Sequence, residues 1–232
     1  MTKTFTDPEF GTITISFRPR ARAIRISVGT DGRLQASAPR YTPIFAVKAM
    51  VNTSRSKIRS LFSAHITPPA YLHGALIGKS HHLVIVPSNV KAAEARLAGQ
   101  NIMVRIPAGS DPSSPAIQRV IRDTVITALR AEAKAYLPRR LKELATRGGY
   151  HYERVRFSHA GTRWGSCSST GTISLNIALM KLPDNLIDYV LCHELAHTRH
   201  MNHSASFWAE VATLDPLYKG HRKLIKLEHP VV

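Results

Sequence analysis

Cysteine, acidic side chains and long apolar runs are what this chain has little of. Two cysteines in 232 residues, Cys167 and Cys192, are too few for a disulfide framework. Both read as reduced thiols of a cytoplasmic protein. No run of 18 apolar residues occurs, which argues against a membrane span, and the stretch Met1-Thr2-Lys3-Thr4-Phe5-Thr6-Asp7-Pro8 lacks the apolar centre of a signal peptide. Asp and Glu number 15 against 32 Lys and Arg, for a formal charge of +17. A GxSxG elbow, a P-loop and the H-x-E with P-C-x-x-C deaminase signature are also missing, so serine-hydrolase, P-loop and zinc-deaminase chemistry find no support.

What is present is a histidine pattern. His193-Glu194-Leu195-Ala196-His197, followed by His203, reads HExxHxxxxxH. Residues four apart on a helix share a face, so His193 and His197 can point two imidazoles at one metal ion. Glu194 can lie beside that ion without binding it, where a general base for an activated water belongs. His203 could supply the third nitrogen if the chain turns back after the helix, and Glu210 is the alternative third ligand. Three protein ligands with one open position describe a catalytic zinc site rather than a closed structural one.

The neighbourhood suits a helix. Pro183-Asp184 looks like a start, with proline early and an acid in the first turn. Leu186, Ile187, Val190, Leu191 and Leu195 recur at three- and four-residue spacing and face a core. Met201-Asn202 is a plausible stop, after which Ser204 or Ser206 could cap a helix running to Asp215-Pro216. Upstream, residues 171–176 alternate as a strand. It is either an edge to which an extended peptide could pair or an ordinary strand with one wet face. Cys192 points roughly 100° round the helix from His193 and reads as a small core residue. Cys167 reads as structural, in a turn that places Trp164 and Arg163 near the cleft.

Arg163-Trp164-Gly165-Ser166-Cys167-Ser168, Ile173-Ser174-Leu175-Asn176, His193-Glu194-Leu195-Ala196-His197 and Asn202-His203-Ser204 with Phe207-Trp208 closely resemble the YgjP-like metallopeptidase domain family. The resemblance runs from the basic stretch near Arg18 to about Glu228, and its C-terminal motifs are the most specific part. It implies a minimal zinc-peptidase fold related to the SprT and WLM groups, some of which cut proteins attached to DNA. It also implies that His193, His197 and His203 bind zinc and that Glu194 is the catalytic base. The family often carries an acidic residue where this chain has His200.

The expected class is therefore α+β. A zincin-like metallopeptidase domain (long scaffold helix, small sheet, HExxH helix) is expected over residues 117–232, after a linker at 107–116 rich in Pro, Gly and Ser. Residues 1–106 form a basic, β-rich region. There Ile13, Ile15 and Phe17 alternate, as do Ile24, Ile26 and Val28, and Asp31-Gly32 offers a hairpin turn before Leu34, Ala36 and Ala38. One helix is expected from Pro43 to Phe62, and strands at 82–86 and 102–106. Residues 117–147 read as a long helix or helix pair that Pro138 should kink or split and Gly148-Gly149 should end.

The expected activity is hydrolysis of a protein or peptide substrate by zinc-activated water, with Glu194 moving the proton. Arg163, His200, Tyr218 and His221 are candidate donors to the developing oxyanion. Residues 1–65 carry 11 Lys/Arg against 3 Asp/Glu, densest at Arg18, Arg20, Arg22 and Arg25. That charge attracts nucleic acid without sequence preference, or merely solvates the surface. A non-enzymatic, zinc-stabilised nucleic-acid-binding module is the other reading, and Glu194 argues against it, since a structural site needs no base.

Overall fold

A computed structural model describes residues 2–29, 33–63 and 70–232, and these fall into two compact units divided between Pro69 and Ala70. The class is α+β, as the alternating and helical periodicities require.

The first unit pairs strands β1 (Thr2–Asp7), β2 (Gly11–Arg18), β3 (Arg25–Val28) and β4 (Leu34–Pro39) in the order β1-β2-β4-β3. Ile13 and Ile15 of β2 and Leu34, Ala36 and Ala38 of β4 form one buried face. Helices α1 (Ile44–Thr53) and α2 (Arg55–Ser63) add Val47, Val51 and Ile58 to the same core. The expected single helix is thus two. Ser54 leaves helical geometry, its N–H donating to the Met50 and Val51 carbonyls, while the Thr53 hydroxyl also donates to the carbonyls of Ala49 and Met50. Such local side-chain bonds compete with the helix ladder. Beyond the break, Arg55 pairs with Asp7 (2.9 Å) and Glu9 (2.8 Å). β3 and β4 pair antiparallel as expected, although the Asp31-Gly32 turn itself lies outside the described residues.

The second unit begins with β5 (Leu76–Ile77), β6 (His81–Ser88), β7 (Glu94–Ala98) and β8 (Asn101–Pro107), ordered β5-β6-β8-β7. Residues 107–116 are only the connection from β8 to α3 (Pro115–Gly148). Leu83, Ile102 and Val104 share one core with Ile117, Ile121 and Val125, so the apolar face of this sheet is covered by the helix and the unit does not divide there.

α3 runs unbroken through Pro138. The carbonyl that loses its N–H partner is that of Lys134, an exposed position where water can replace the bond. On the other side Ala133, Leu137, Leu141 and Leu144 stay buried and hold the helix through the proline. It ends at Gly149 in left-handed geometry, φ 65°, where the Tyr150 N–H reaches the Ala145 carbonyl at 2.8 Å; glycine adopts this conformation without a Cβ penalty.

A three-stranded sheet follows, from β9 (Arg154–Ser158), β10 (Gly165–Cys167) and β11 (Thr172–Asn176), ordered β10-β11-β9. A 3-10 turn at Ile177–Lys181 leads into α4 (Asp184–Ala196), α5 (Ala205–Leu214) and α6 (Tyr218–Ile225). None of the helices is long and apolar enough to cross a membrane among the described residues.

The two parts of the second unit are tied by one buried carboxylate. Glu132 of α3 accepts the backbone N–H groups of Lys79 (2.7 Å) and Ser80 (3.0 Å), the Ser80 hydroxyl (2.8 Å) and the His81 ring (2.6 Å). Burial pushes this carboxyl up, but the Lys79 N–H, the His81 ring and the Ser80 donors outweigh it and hold the pKa below its ordinary 4.5. The folded value is depressed, so its stabilisation is complete above the unfolded pKa and is lost as pH falls through the folded one. Glu132→Gln is expected to cost about 2 kcal/mol at pH 7 and to flatten the loss of Tm below about pH 4.5. Thermal melts of both proteins from pH 7 to pH 3 check this, and parallel curves would take Glu132 out of the acid response.

Candidate active site

α4 carries the site because its opposite stripe is committed to the core. Leu186, Ile187, Val190, Leu191 and Leu195 are buried, and that stripe leaves His193 and Glu194 facing β10 and α5. The helix ends at Ala196, a turn before the Met201-Asn202 stop expected from sequence. Thr198 explains the early end: its hydroxyl donates to the Leu195 carbonyl at 2.8 Å and its N–H to the same oxygen at 2.9 Å, tightening the last turn. His197 is therefore the C-terminal cap. The chain reverses through 198–203, and Ser204 caps α5 by accepting the Phe207 N–H at 3.3 Å.

This reversal brings His203 back to the helix. The Nε2 atoms of His193 and His203 lie 3.1 Å apart, and one ligand nitrogen each from His193, His197 and His203 falls within a mutual 4.8 Å. Phe207 packs on all three rings, with centroids 4.9, 4.5 and 4.8 Å away, and Trp208 stacks on His203 at 5.6 Å. His197 Nδ1–H donates to the His200 carbonyl at 2.9 Å; a carbonyl only accepts, so Nε2 keeps its lone pair. Burial, then the neighbouring histidines, push His193 down to about 3, and burial also lowers His197. Both rings are neutral at neutral pH.

Do these residues fit a metal? Tetrahedral zinc with Zn–N bonds of about 2.1 Å separates its ligand nitrogens by about 3.4 Å. The His193 to His203 spacing is close to that. Two facing Nε2 atoms also share at most one hydrogen bond, and a cation between them would satisfy both. The three imidazoles could hold zinc. Glu210 sits elsewhere: it accepts the Tyr150 hydroxyl and pairs with Arg199 at 3.1 Å.

Glu194 is 4 % exposed, and its Oε2 has no hydrogen-bond partner. Burial pushes its carboxyl up to about 8, against the opposing charge of Arg163. The backbone of β10 runs directly against it: a Cβ on Gly165 would lie 2.6 Å from Glu194 Oε1. From the sequence alone Gly165 reads as a residue that could relieve a tight turn; its place after Trp164, on a strand facing an HExxH helix, is the signal for this closer contact. Trp164, Gly165, Tyr189, Val190, His193, Glu194 and Ile225 line an adjoining cavity of ≈ 230 Å³.

The strand at 171–176 is confirmed as β11, but it is the central strand of its sheet. Its edge strands among the described residues are β9 and β10, and it is β10 that runs beside α4. Of the four candidate oxyanion donors, His200 leans toward Glu210 at 3.8 Å and His221 binds Asp215 at 2.7 Å. Tyr218 stacks on Trp208 at 5.6 Å, and Arg163 is the one whose charge acts on Glu194. Both cysteines are free thiols. Burial pushes Cys192 up to about 12 and Cys167 up to about 11, so neither is a nucleophile at neutral pH.

No curated protein sequence matches the chain. The solved structure of the metallopeptidase zymogen of Pyrococcus abyssi abylysin is 31 % identical over 38 % of this chain and 90 % of that one, with a TM-score of 0.36. The profile of the YgjP-like, metallopeptidase domain matches residues 22–228, and the chain belongs to that family.

Proposed function

We propose that this metallopeptidase hydrolyses peptide bonds with one zinc ion held by His193, His197 and His203 and with Glu194 as the general base. The observation that carries the proposal is the convergence of three imidazoles beside a buried, unpartnered carboxylate. Zinc, when bound, acts as a Lewis acid that lowers the pKa of a water molecule to about 7 and polarises a carbonyl.

The protein does the rest. His193 and His203 present Nε2, and the bond from His197 Nδ1 to the His200 carbonyl orients the third ring. Phe207 packs against all three rings, and Trp208 against those of His193 and His203. Burial makes Glu194 a stronger base than a solvated carboxylate, so it can take a proton from water and pass it to the departing amine. The edge of β10 offers backbone groups to an extended peptide, and the Trp164–Ile225 cavity gives a neighbouring side chain an apolar place to sit. These features favour an unfolded or loop segment of a protein as substrate. A purely structural metal site would not need the base.

Glu194→Gln is expected to keep about one zinc per chain while losing at least 1,000-fold in peptide hydrolysis. His203→Ala is expected to lose the metal itself. Metal analysis beside a peptide-library digest reads both, and full activity in Glu194→Gln would remove that residue from the mechanism. Gly165→Ala should displace the Glu194 carboxylate and cost about 1–3 kcal/mol as overpacking. Its Tm and its hydrolysis rate should fall together, whereas a variant with unchanged Tm would show that the contact yields easily.

A further inference from the structure

The first unit has a polarised charge distribution that the peptidase site does not use. β2 and β4 are parallel neighbours in register from Thr14↔Gln35 to Arg18↔Pro39, so both chains leave the sheet at the same end. The end of β2 and the chain after it supply Arg18, Arg20 and Arg22, and the chain after β4 supplies Arg40 and Tyr41. β3 enters the sheet at that end too, because Arg25 opposes Ser37. Five exposed arginines thus occupy the ends of three adjacent strands, a front of about 10 Å. None of them makes an ion pair among the described residues.

Two aromatic rings stand among these charges. Tyr41 is 89 % exposed and Phe45, in the first turn of α1, is 73 % exposed. Arg40 lies over the Tyr41 ring at 6.0 Å. The described acids of the unit are Asp7 and Glu9. They sit at the β1–β2 turn, by the N-terminal end of β2, and are engaged by Arg55 and Arg59. No described acid of this unit lies at the arginine end.

We infer that this end of the first unit binds single-stranded nucleic acid, with Arg18, Arg20, Arg22, Arg25 and Arg40 on the phosphates and Tyr41 and Phe45 stacking on bases. Arginine matches phosphate geometry through its planar fork. An exposed ring beside such charge serves every base equally, because each base has a π-face. In duplex DNA those faces are covered, so rings add little there and charge alone acts. Single strands are therefore the preferred form. The surface lies on the other unit from the metal-binding histidines, so binding does not depend on the peptidase reading.

The test is fluorescence anisotropy of the full chain with a labelled 20-nucleotide oligothymidylate, a matching duplex, and vesicles containing anionic phospholipid as a separate arm. Single-strand binding is expected to exceed duplex binding. Its log–log salt slope should be about −3.5, from five phosphate contacts at about 0.7 each. Tyr41→Ala with Phe45→Ala should weaken it by roughly tenfold or more with Tm unchanged, while Tyr41→Phe keeps it. Arg20→Ser with Arg22→Ser should flatten the salt slope. Equal binding of duplex and single strand, unaffected by loss of the rings, would overturn the inference. So would binding to the vesicles alone, or no binding at low salt.

Discussion

A carboxylate buried without a hydrogen-bond partner is the constraint around which the second unit is arranged. Leaving Glu194 in that state opposes folding, since an unsatisfied buried polar group costs about 1–3 kcal/mol. The surrounding packing must offset this, and it does so on both sides of the residue. α4 buries an apolar stripe from Leu186 to Leu195, while β10 closes over the carboxylate with the one residue that has no side chain. Burial in turn raises the basicity of Glu194. The same packing that disfavours the ionised group supplies the basicity on which the proposed role of Glu194 rests.

The geometry of the histidine cluster follows from how α4 stops. Had the helix continued to Met201, His203 would have been carried away along the axis. The early end at Ala196, secured by Thr198, lets six residues turn back so that α5 starts beneath the rings. Phe207 is then both a core residue and the floor of the histidine cluster.

Much of this was legible in the sequence, because the features concerned are local. His193, Glu194 and His197 announce themselves by helical spacing; the strand at 172–176 by alternation; the Ser204 cap by residue type. The features that were missed depend on tertiary neighbours. Pro138 reads as a helix breaker until Leu137 and Leu141 are seen buried on either side of it. The 107–116 segment has the composition of a linker, yet the strands before it and the helix after it share a core. Position in a sheet is likewise non-local: alternation identifies residues 171–176 as a strand but cannot say that β9 and β10 would take the edges on either side of it. Gly165 looks like any turn glycine until Glu194 is placed against it.

At 34 residues, α3 extends about 50 Å, and this length makes it a shared wall. Its N-terminal half, with Ile117, Ile121 and Val125, covers the β5–β8 sheet; its C-terminal half, with Leu137, Leu141 and Leu144, backs the elements that hold the histidines. A fragment cut just before the helix would keep Glu194 and the three clustered histidines and still leave the first half of that wall wet. The smallest independently folding piece that carries the histidine cluster therefore begins near Ala70, and the β5–β8 sheet is inherited with it.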